Sequence, residues 1–394
     1  MSELLPVAEA QARLLAANPP VATETLPITQ AIGRWAAAPI LAERTQPAHD
    51  LSAMDGYALR WADMPGPWRV IGESAAGRPF PGALSDGEAV RIFTGAAMPD
   101  GADTVLVQEE AEREGERLTL DGAGPPRKTA NVRRKGLDFS KSDPLVAAGA
   151  RLTAARLAVA ATGGAGDVVV HRRVRVAIAA TGDELVEPGS PFGAHSLPES
   201  NRLLLRALLA DLPVDIIDLG ILPDSLDVLT DAFTTVDADL LVTTGGASVG
   251  DHDLVQPALR AAGAGIDFWR VALRPGKPLM AGRRGDMAVL GLPGNPVSAF
   301  VTTLLFVKPL VAHLAGAADP FPLTTRAELG EAIAANGPRT DYMRAELRGG
   351  RAFVATIQDS SMLLTLARAG CLIVRPPHDP ARESGESAEI LMIG

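Results

Sequence analysis

The side chains with the most chemical capacity in this sequence gather in five short loops: "TGDE" (181–184), "GILPDS" (220–225), "TTGGASVGDHD" (243–253), "LRPGKP" (273–278) and "GLPGNP" (291–296). Five acids fall there: Asp183, Glu184, Asp224, Asp251 and Asp253. Carboxylates crowded beside an anion-binding loop suit a hard cation that holds phosphate. Mg²⁺ takes one or two carboxylates and fills its shell with ligand oxygens and water. Helix capping competes for each acid taken singly, because Asp accepts well from free helical amides. Zinc does not fit, since there is no HExxH motif and no His/Cys cluster.

Two further features of these loops speak of anions. Arg270, Arg274 and Lys277 lie in "FWRVALRPGKPL", where Pro275 and Pro278 stiffen the chain. Cations on a rigid turn suit an oxyanion; ordinary surface charge is the competing reading. Gly245 and Gly246 let the backbone approach a ligand closely, and the following helix offers free amides. A plain tight turn would use the same glycines. The stretch at 246–250 also fits the G-x-S-x-G elbow of serine hydrolases, with Ser248 as nucleophile. That chemistry needs a histidine downstream. His252 is too close in sequence, His313 sits in a helical run and His378 lies in the tail. Ser248 is better read as a hydrogen-bond donor to an anion.

The elements that must carry these loops follow from periodicity. From 173 to about 318, apolar strands alternate with amphipathic helices: "VRVAIAA", "VDIIDLG" and "DLLVTT" each precede a helix, then "FWRVAL" and "MAVLGL" lead to a long helix from Asn295. This rhythm predicts a doubly wound, mostly parallel sheet covered on both faces. Every one of the five loops then follows a strand, at the edge where open α/β sheets bind ligands. Residues 45–144 show short alternating runs ("WRVIG", "AVRIF", "TVLVQ", "RLTL") broken by Gly, Pro and Asp, an all-β signature. Residues 1–44 and 145–172 read as helical, so the β unit is inserted into a helical linker domain. The tail, 319–394, returns to short β runs and suits a small barrel.

Composition sets outer bounds. The chain has 394 residues, 47% apolar and 21% charged, which fits two to four packed domains. Its net charge of −10 argues against coating nucleic acid. The single cysteine, Cys371, permits no internal disulfide. Glu3 and Glu9 interrupt any signal-peptide pattern. The most apolar stretch, 297–316, carries Lys308, Pro309 and His313 and reads as a buried helix rather than a membrane span. A cytoplasmic protein is expected. In the β unit, "LSAMDGYAL" reads as a turn at Asp55-Gly56, "FTGAAMPDGAD" as turns, and "NVRRKGLD" (131–138) as a solvated basic run.

Taken in order, "SAMDGYA", "FTGAAMPDGAD", "NVRRKGLD", "TGDELVEPG", "ESNRLLLRALL", "GILPDS", "TTGGASVGDHD", "RPGKPL" and "GLPGNPVSAF" resemble the MoeA family of molybdopterin molybdenumtransferases. The likeness runs from about residue 5 to the end. It implies an enzyme that takes adenylylated molybdopterin and molybdate, cleaves the phosphoanhydride with Mg²⁺, releases AMP and places molybdenum on the dithiolene. It implies a four-domain homodimer, with transient contact to the adenylyltransferase and to cofactor-accepting molybdoenzymes.

By motif position the resemblance implies Asp224, Asp253 and Glu184 as metal and phosphate acids. Arg274, Lys277, Arg344 and Ser360 become molybdate candidates. Thr181, Gly182, Asp183, Gly245, Gly246, Ser248, Gly250, Pro293, Gly294 and Asn295 become pterin or phosphate contacts. Asp55, Thr94 and Asp138 would reach the site from the inserted domain, across the dimer. Arg270 stands as a further candidate. The likeness departs at Leu137 and His252, where the family often has an acid and an aromatic. It departs again at Leu364-Thr365, where the family has a serine pair; position 274 carries Lys or Arg in the family, and the Arg274 found here keeps the charge as a planar fork. Three rivals stay open: the adenylyltransferase that shares the α/β domain, a Ser248 hydrolase, and a non-catalytic scaffold.

Overall fold

The fold is that of a computed structural model, which describes residues 4–191, 193–246, 253–268 and 270–393. Helix α1 (Val7–Ala17) buries Val7, Ala10 and Leu14, one stripe at helical spacing. That stripe joins the core of the α/β block rather than a separate linker core. The linker halves meet across the insertion through two ladders. Thr23–Pro27 pairs antiparallel with Asp167–His171, and Ile40–Leu41 with Pro144–Val146. Helix α2 (Ala154–Gly163) is capped by the Thr153 side chain. The alternation in "TETLP" and "DVVVH" is thus spent on strands that accompany this helix.

The inserted unit holds a six-stranded sheet in the order Thr104–Val107, Gly56–Leu59, Glu88–Ile92, Trp68–Ser74, Arg117–Leu120, Ala111–Glu114. Asp55-Gly56 is not a hairpin turn. Gly56 opens a central strand, where a Cβ would meet the Leu106 carbonyl oxygen at 1.9 Å. Only glycine fits so close a neighbouring backbone.

The main sheet runs Val214–Leu222, Val174–Thr181, Leu240–Thr244, Met287–Leu292, Met280–Arg284, Gly265–Phe268. The first four strands are parallel, and Met280–Arg284 runs antiparallel to both its neighbours. Alternate residues face opposite sides. Val174, Val176 and Ile178 join one core, and Ala177 joins the other. The first core packs α3 (Asn201–Leu209) through Leu205 and Leu209. Each such leucine contributes about 1.5–3 kcal/mol by leaving water. The second core packs Leu229 and Phe233 of α4 (Leu226–Thr235) and Val255, Ala258 and Leu259 of α5 (Val255–Ala261). Helices α6 (Pro296–Thr302) and α7 (Lys308–Leu314), joined by a π-helical turn, run on as one 19-residue helix. By length and composition it could cross a membrane, but 83% of it is buried inside the protein. Lys308 and Pro309 do not interrupt it; Pro309 follows directly on the π-helical turn Thr303–Val307, where the regular hydrogen-bond ladder is already altered.

The tail closes on itself. Thr340–Arg348 pairs with Arg351–Val354 on one side and Cys371–Arg375 on the other. Thr324–Leu329 and Ser387–Met392 complete a five-stranded barrel. Helix α8 (Leu363–Arg368) precedes the fourth barrel strand. A short strand from the α/β block, Leu273–Arg274, adds parallel to Thr340 and Asp341. The "LRPGKP" loop is thereby fastened to the barrel.

Candidate active site

The strand ends are in register. Thr181 pairs with Leu222, Ala180 with Thr244, and Thr244 with Leu292. The loops after them therefore leave the sheet at one level. The second strand of the block lies on one side of Val174–Thr181 and the third on the other, so the winding reverses between Val174–Thr181 and Leu240–Thr244. Such a switch point leaves a crevice that helices do not fill. A cavity of ≈ 880 Å³ opens there. Of the residues the sequence singled out, it is lined by Thr181, Gly182, Glu184, Asp224, Gly245, Gly246, Asp253, Pro293, Gly294 and Asn295.

The glycines shape its floor. Gly245 has φ +89°, and a Cβ there would meet the Thr181 carbonyl oxygen at 2.4 Å. At Gly246 a Cβ would meet a Val255 methyl at 2.2 Å. Side chains at either place would push the loop off the sheet edge. Ser248 and Gly250, together with Asp251 and His252, lie outside the described residues.

Four acids line the cavity, Glu184, Glu199, Asp224 and Asp253, and no Lys or Arg does among the described residues. Asp224 feels this most. Loss of surrounding water pushes its carboxyl above the ordinary aspartate range, and the charges of Asp183 and Glu184 push it further. Asp183 does not line the cavity; its carboxylate accepts the Asp224 amide at 3.1 Å and so fixes that loop. Among the described residues, no group of three or more His, Cys, Asp or Glu forms a ready metal cage. A cation held by these acids would complete its shell with ligand oxygens and water. The hydroxyls of Thr181 and Thr244 and the Asn201 amide oxygen are buried here without hydrogen-bond partners.

The start of α3 is a part of the site that was not singled out residue by residue. Glu199 is 3% exposed and accepts the amides of Asn201 (2.6 Å) and Arg202 (3.0 Å). This helix N-terminus is thus already capped by a carboxylate and is not an open anion site. The Asn201 side chain donates to the Gly294 carbonyl at 2.8 Å. The acid two residues before Asn201 in "ESNRLLL" is the local signal for such a cap. Pro278 of the "LRPGKP" loop lines the cavity as well, as do Leu185, Leu197, Pro198, Ser361 and Leu363, which nothing local marks.

The cations are placed differently from expectation. Arg274 forms an ion pair with Asp341 at the barrel seam. Arg344 is 1% exposed and donates to the carbonyls of Asp359 (2.9 Å) and Met362 (3.1 Å) and to the Gln358 side chain. It builds the 358–362 loop instead of presenting a free fork. Arg270 lies beside α1, its carbonyl accepting the Leu5 amide. Lys277 is exposed next to the lining residue Pro278 and has no ion-pair partner among the described residues. Ser360 reaches the rim: its hydroxyl accepts from Asn295 at 3.0 Å.

Asp55, Thr94 and Asp138 belong to the inserted unit and do not line the cavity within one chain. They still form a local arrangement. Asp55 accepts the Thr94 amide (2.7 Å) and hydroxyl (2.8 Å), bonds that hold its carboxyl below the usual range. The basic run is not freely solvated: Asp50 pairs with Arg134 and accepts the Lys135 amide at 2.8 Å, folding 131–138 back. Asp138 is exposed at its end, its amide donating to Gln46. Neither described downstream histidine, His313 nor His378, lines the cavity.

Three family models match successive parts of the chain. Residues 5–164 match the MoeA N-terminal region (domain I and II), 177–313 a probable molybdopterin binding domain, and 326–393 the MoeA C-terminal region (domain IV). The molybdopterin molybdenumtransferase of Haemophilus influenzae is 39% identical over 318 residues, covering 79% of this chain and 78% of that protein. The enzyme of the same name from a Nostoc species is 34% identical over 389 residues, covering 94% and 89%. A crystal structure of the molybdopterin biosynthesis MoeA protein from Pyrococcus horikoshii OT3 superposes with a TM-score of 0.84 at 27% identity, covering 99% of this chain and all of that one. The chain belongs to the MoeA family, the molybdopterin molybdenumtransferases.

Proposed function

We propose that this enzyme inserts molybdenum into molybdopterin, taking adenylylated molybdopterin and molybdate and releasing AMP. The observation that carries this is the cavity at the switch point, walled by four carboxylates and no cation among the described residues. A phosphate-bearing substrate cannot enter such a place alone, because like charges repel strongly where water is scarce. Mg²⁺ fits the residues present: Glu184, Asp224 and Asp253 offer hard oxygen donors, and the burial and neighbouring negative charge that raise the Asp224 pKa are conditions a cation relieves. When bound it would stabilise charge on the departing AMP.

The chain's own residues supply the rest. The Gly245-Gly246 turn lets backbone approach the substrate. Asp183 holds the Asp224 loop in place. Lys277 brings a mobile cation to the rim for molybdate, beside Ser360, while Arg344 fixes the loop that carries Ser360 and Arg274 ties the "RPGKP" turn to the barrel. Their part is positioning: two reactants held together gain by reduced entropy of encounter. Asp55 and Thr94, preassembled but remote within one chain, would complete the cavity from a second copy in a homodimer.

The test is AMP release from adenylylated molybdopterin at fixed Mg²⁺, with and without molybdate. Molybdate-dependent release, with a product that activates a cofactor-free molybdoenzyme, is expected. Consumption of ATP on free molybdopterin, with no release, would move the assignment to the adenylylating step.

A further inference from the structure

Asn201 and Arg202 stand side by side at the start of α3 and hold different walls of the cavity. Asn201 pins the P-G-N-P loop through Gly294. Arg202 commits its whole guanidinium to three carboxylates. Its Nε donates to Glu199 at 3.1 Å, Nη1 to Asp218 at 2.7 Å, and Nη2 to both oxygens of Glu187 at 2.6 and 2.7 Å. Arg202 is 7% exposed and does not itself line the cavity.

Each partner belongs to a different piece of the site. Glu187 and Glu199 stand on the two arms of an excursion whose ends carry Glu184, Leu185, Leu197 and Pro198 into the cavity. A two-residue ladder, Leu185 with Leu197 and Val186 with Pro198, joins those arms. Asp218 stands on the neighbouring strand and also accepts the Gly220 amide at 3.0 Å. Gly220 lies near the end of that strand, which runs on to Leu222 and into the loop that delivers Asp224. One side chain thus bridges the wall of Glu184 and the loop of Asp224. Burying so many charges is a poor source of net stability, since desolvation offsets the attraction. Its distinctive product is fixed geometry, because the planar fork satisfies its partners only in one arrangement.

We propose that Arg202 is a positioning residue of the active cavity, setting the spacing between the Glu184 wall and the Asp224 loop by holding Glu187, Glu199 and Asp218 together. The inference rests on the reading of this cavity as the molybdopterin site. Loosening the clamp leaves every substrate contact present but less well placed, so affinity falls before chemistry does.

The experiment uses the full-length chain with E187Q and R202K. E187Q removes one outer partner and leaves Arg202 paired to Glu199 and Asp218, so the fold is retained. Two quantities are read: amide hydrogen exchange in peptides covering 184–187 and 196–199, and the Kd for molybdopterin by equilibrium binding. Exchange in those peptides should rise, with α7 unchanged, and Kd should rise roughly tenfold for E187Q and further for R202K, as expected when preorganisation is lost. Wild-type exchange in both folded variants would overturn the clamp. Faster exchange with an unchanged Kd would overturn the positioning role. Failure of the wild-type chain to bind molybdopterin would instead refute the reading of the cavity, and the exchange data would still decide the clamp.

Discussion

At the scale of single residues the site stores an electrostatic cost. Loss of surrounding water, and then the charges of Asp183 and Glu184, hold the Asp224 carboxyl above the ordinary aspartate range. The sign of the linkage follows. A carboxyl with a raised folded pKa favours the folded state below its unfolded pKa, and that contribution is lost as pH rises through the folded value. At neutral pH the ionised Asp224 therefore disfavours the ligand-free fold. Asp224→Asn should raise the thermal midpoint of the ligand-free protein at neutral pH, with the gap closing as pH falls toward the normal aspartate range. The same change should lower Mg²⁺-dependent turnover by about tenfold or more, the equivalent of ~1.4 kcal/mol at the transition state, while molybdopterin binding changes less. A variant that is neither more stable nor slower would remove Asp224 from the metal site.

At the scale of elements the decisive feature is the sheet edge. The parallel register brings Thr181, Leu222, Thr244 and Leu292 to one level, and the loops after them enclose the cavity. The strand–helix rhythm made this edge legible in the sequence, because period 2 and period 3.6 are local properties. The Gly245-Gly246 turn was legible too, although what it packs against was not. Gly245→Ala places a methyl against the Thr181 carbonyl at a positive φ. Such strain costs about 1–3 kcal/mol. The variant should show a lower midpoint and weakened molybdopterin binding together, measured by thermal denaturation and ligand titration. A normal midpoint with normal affinity would show that the turn tolerates displacement. The start of α3 was harder to read: "ESNR" marks a helix start, but no local pattern says that Arg202 spans to Glu187 and Asp218.

At the scale of the whole molecule the question is how Asp55 and Thr94 meet the cavity. Their bonds to one another are made within the inserted sheet, away from the acids of the α/β block. If the site forms between copies, two differently damaged chains can repair each other. Asp55→Ala and Asp224→Asn chains, each strongly impaired alone, should together exceed the activity of either when co-expressed. Random pairing in a two-fold dimer gives one intact site in half of the dimers, or about a quarter of wild-type turnover. No recovery in verified mixed dimers would place the whole site within one chain and leave Asp55 a structural role.

The sequence by itself determined the alternation of elements, the β character of the insertion and tail, the acid- and glycine-rich loops, and through nine ordered motifs the family. These are properties of neighbours along the chain, where spacing and residue type suffice. Tertiary structure alone decided the allegiance of the charges. Arg274 and Arg344 read as free cations in a string of letters, yet Asp341 and the 358–362 loop take them up. Lys277 stays exposed at the rim, and Arg202 proves to be the clamp. An ion pair forms between residues distant in sequence and is fixed by where the chain returns. Spacing cannot reveal it.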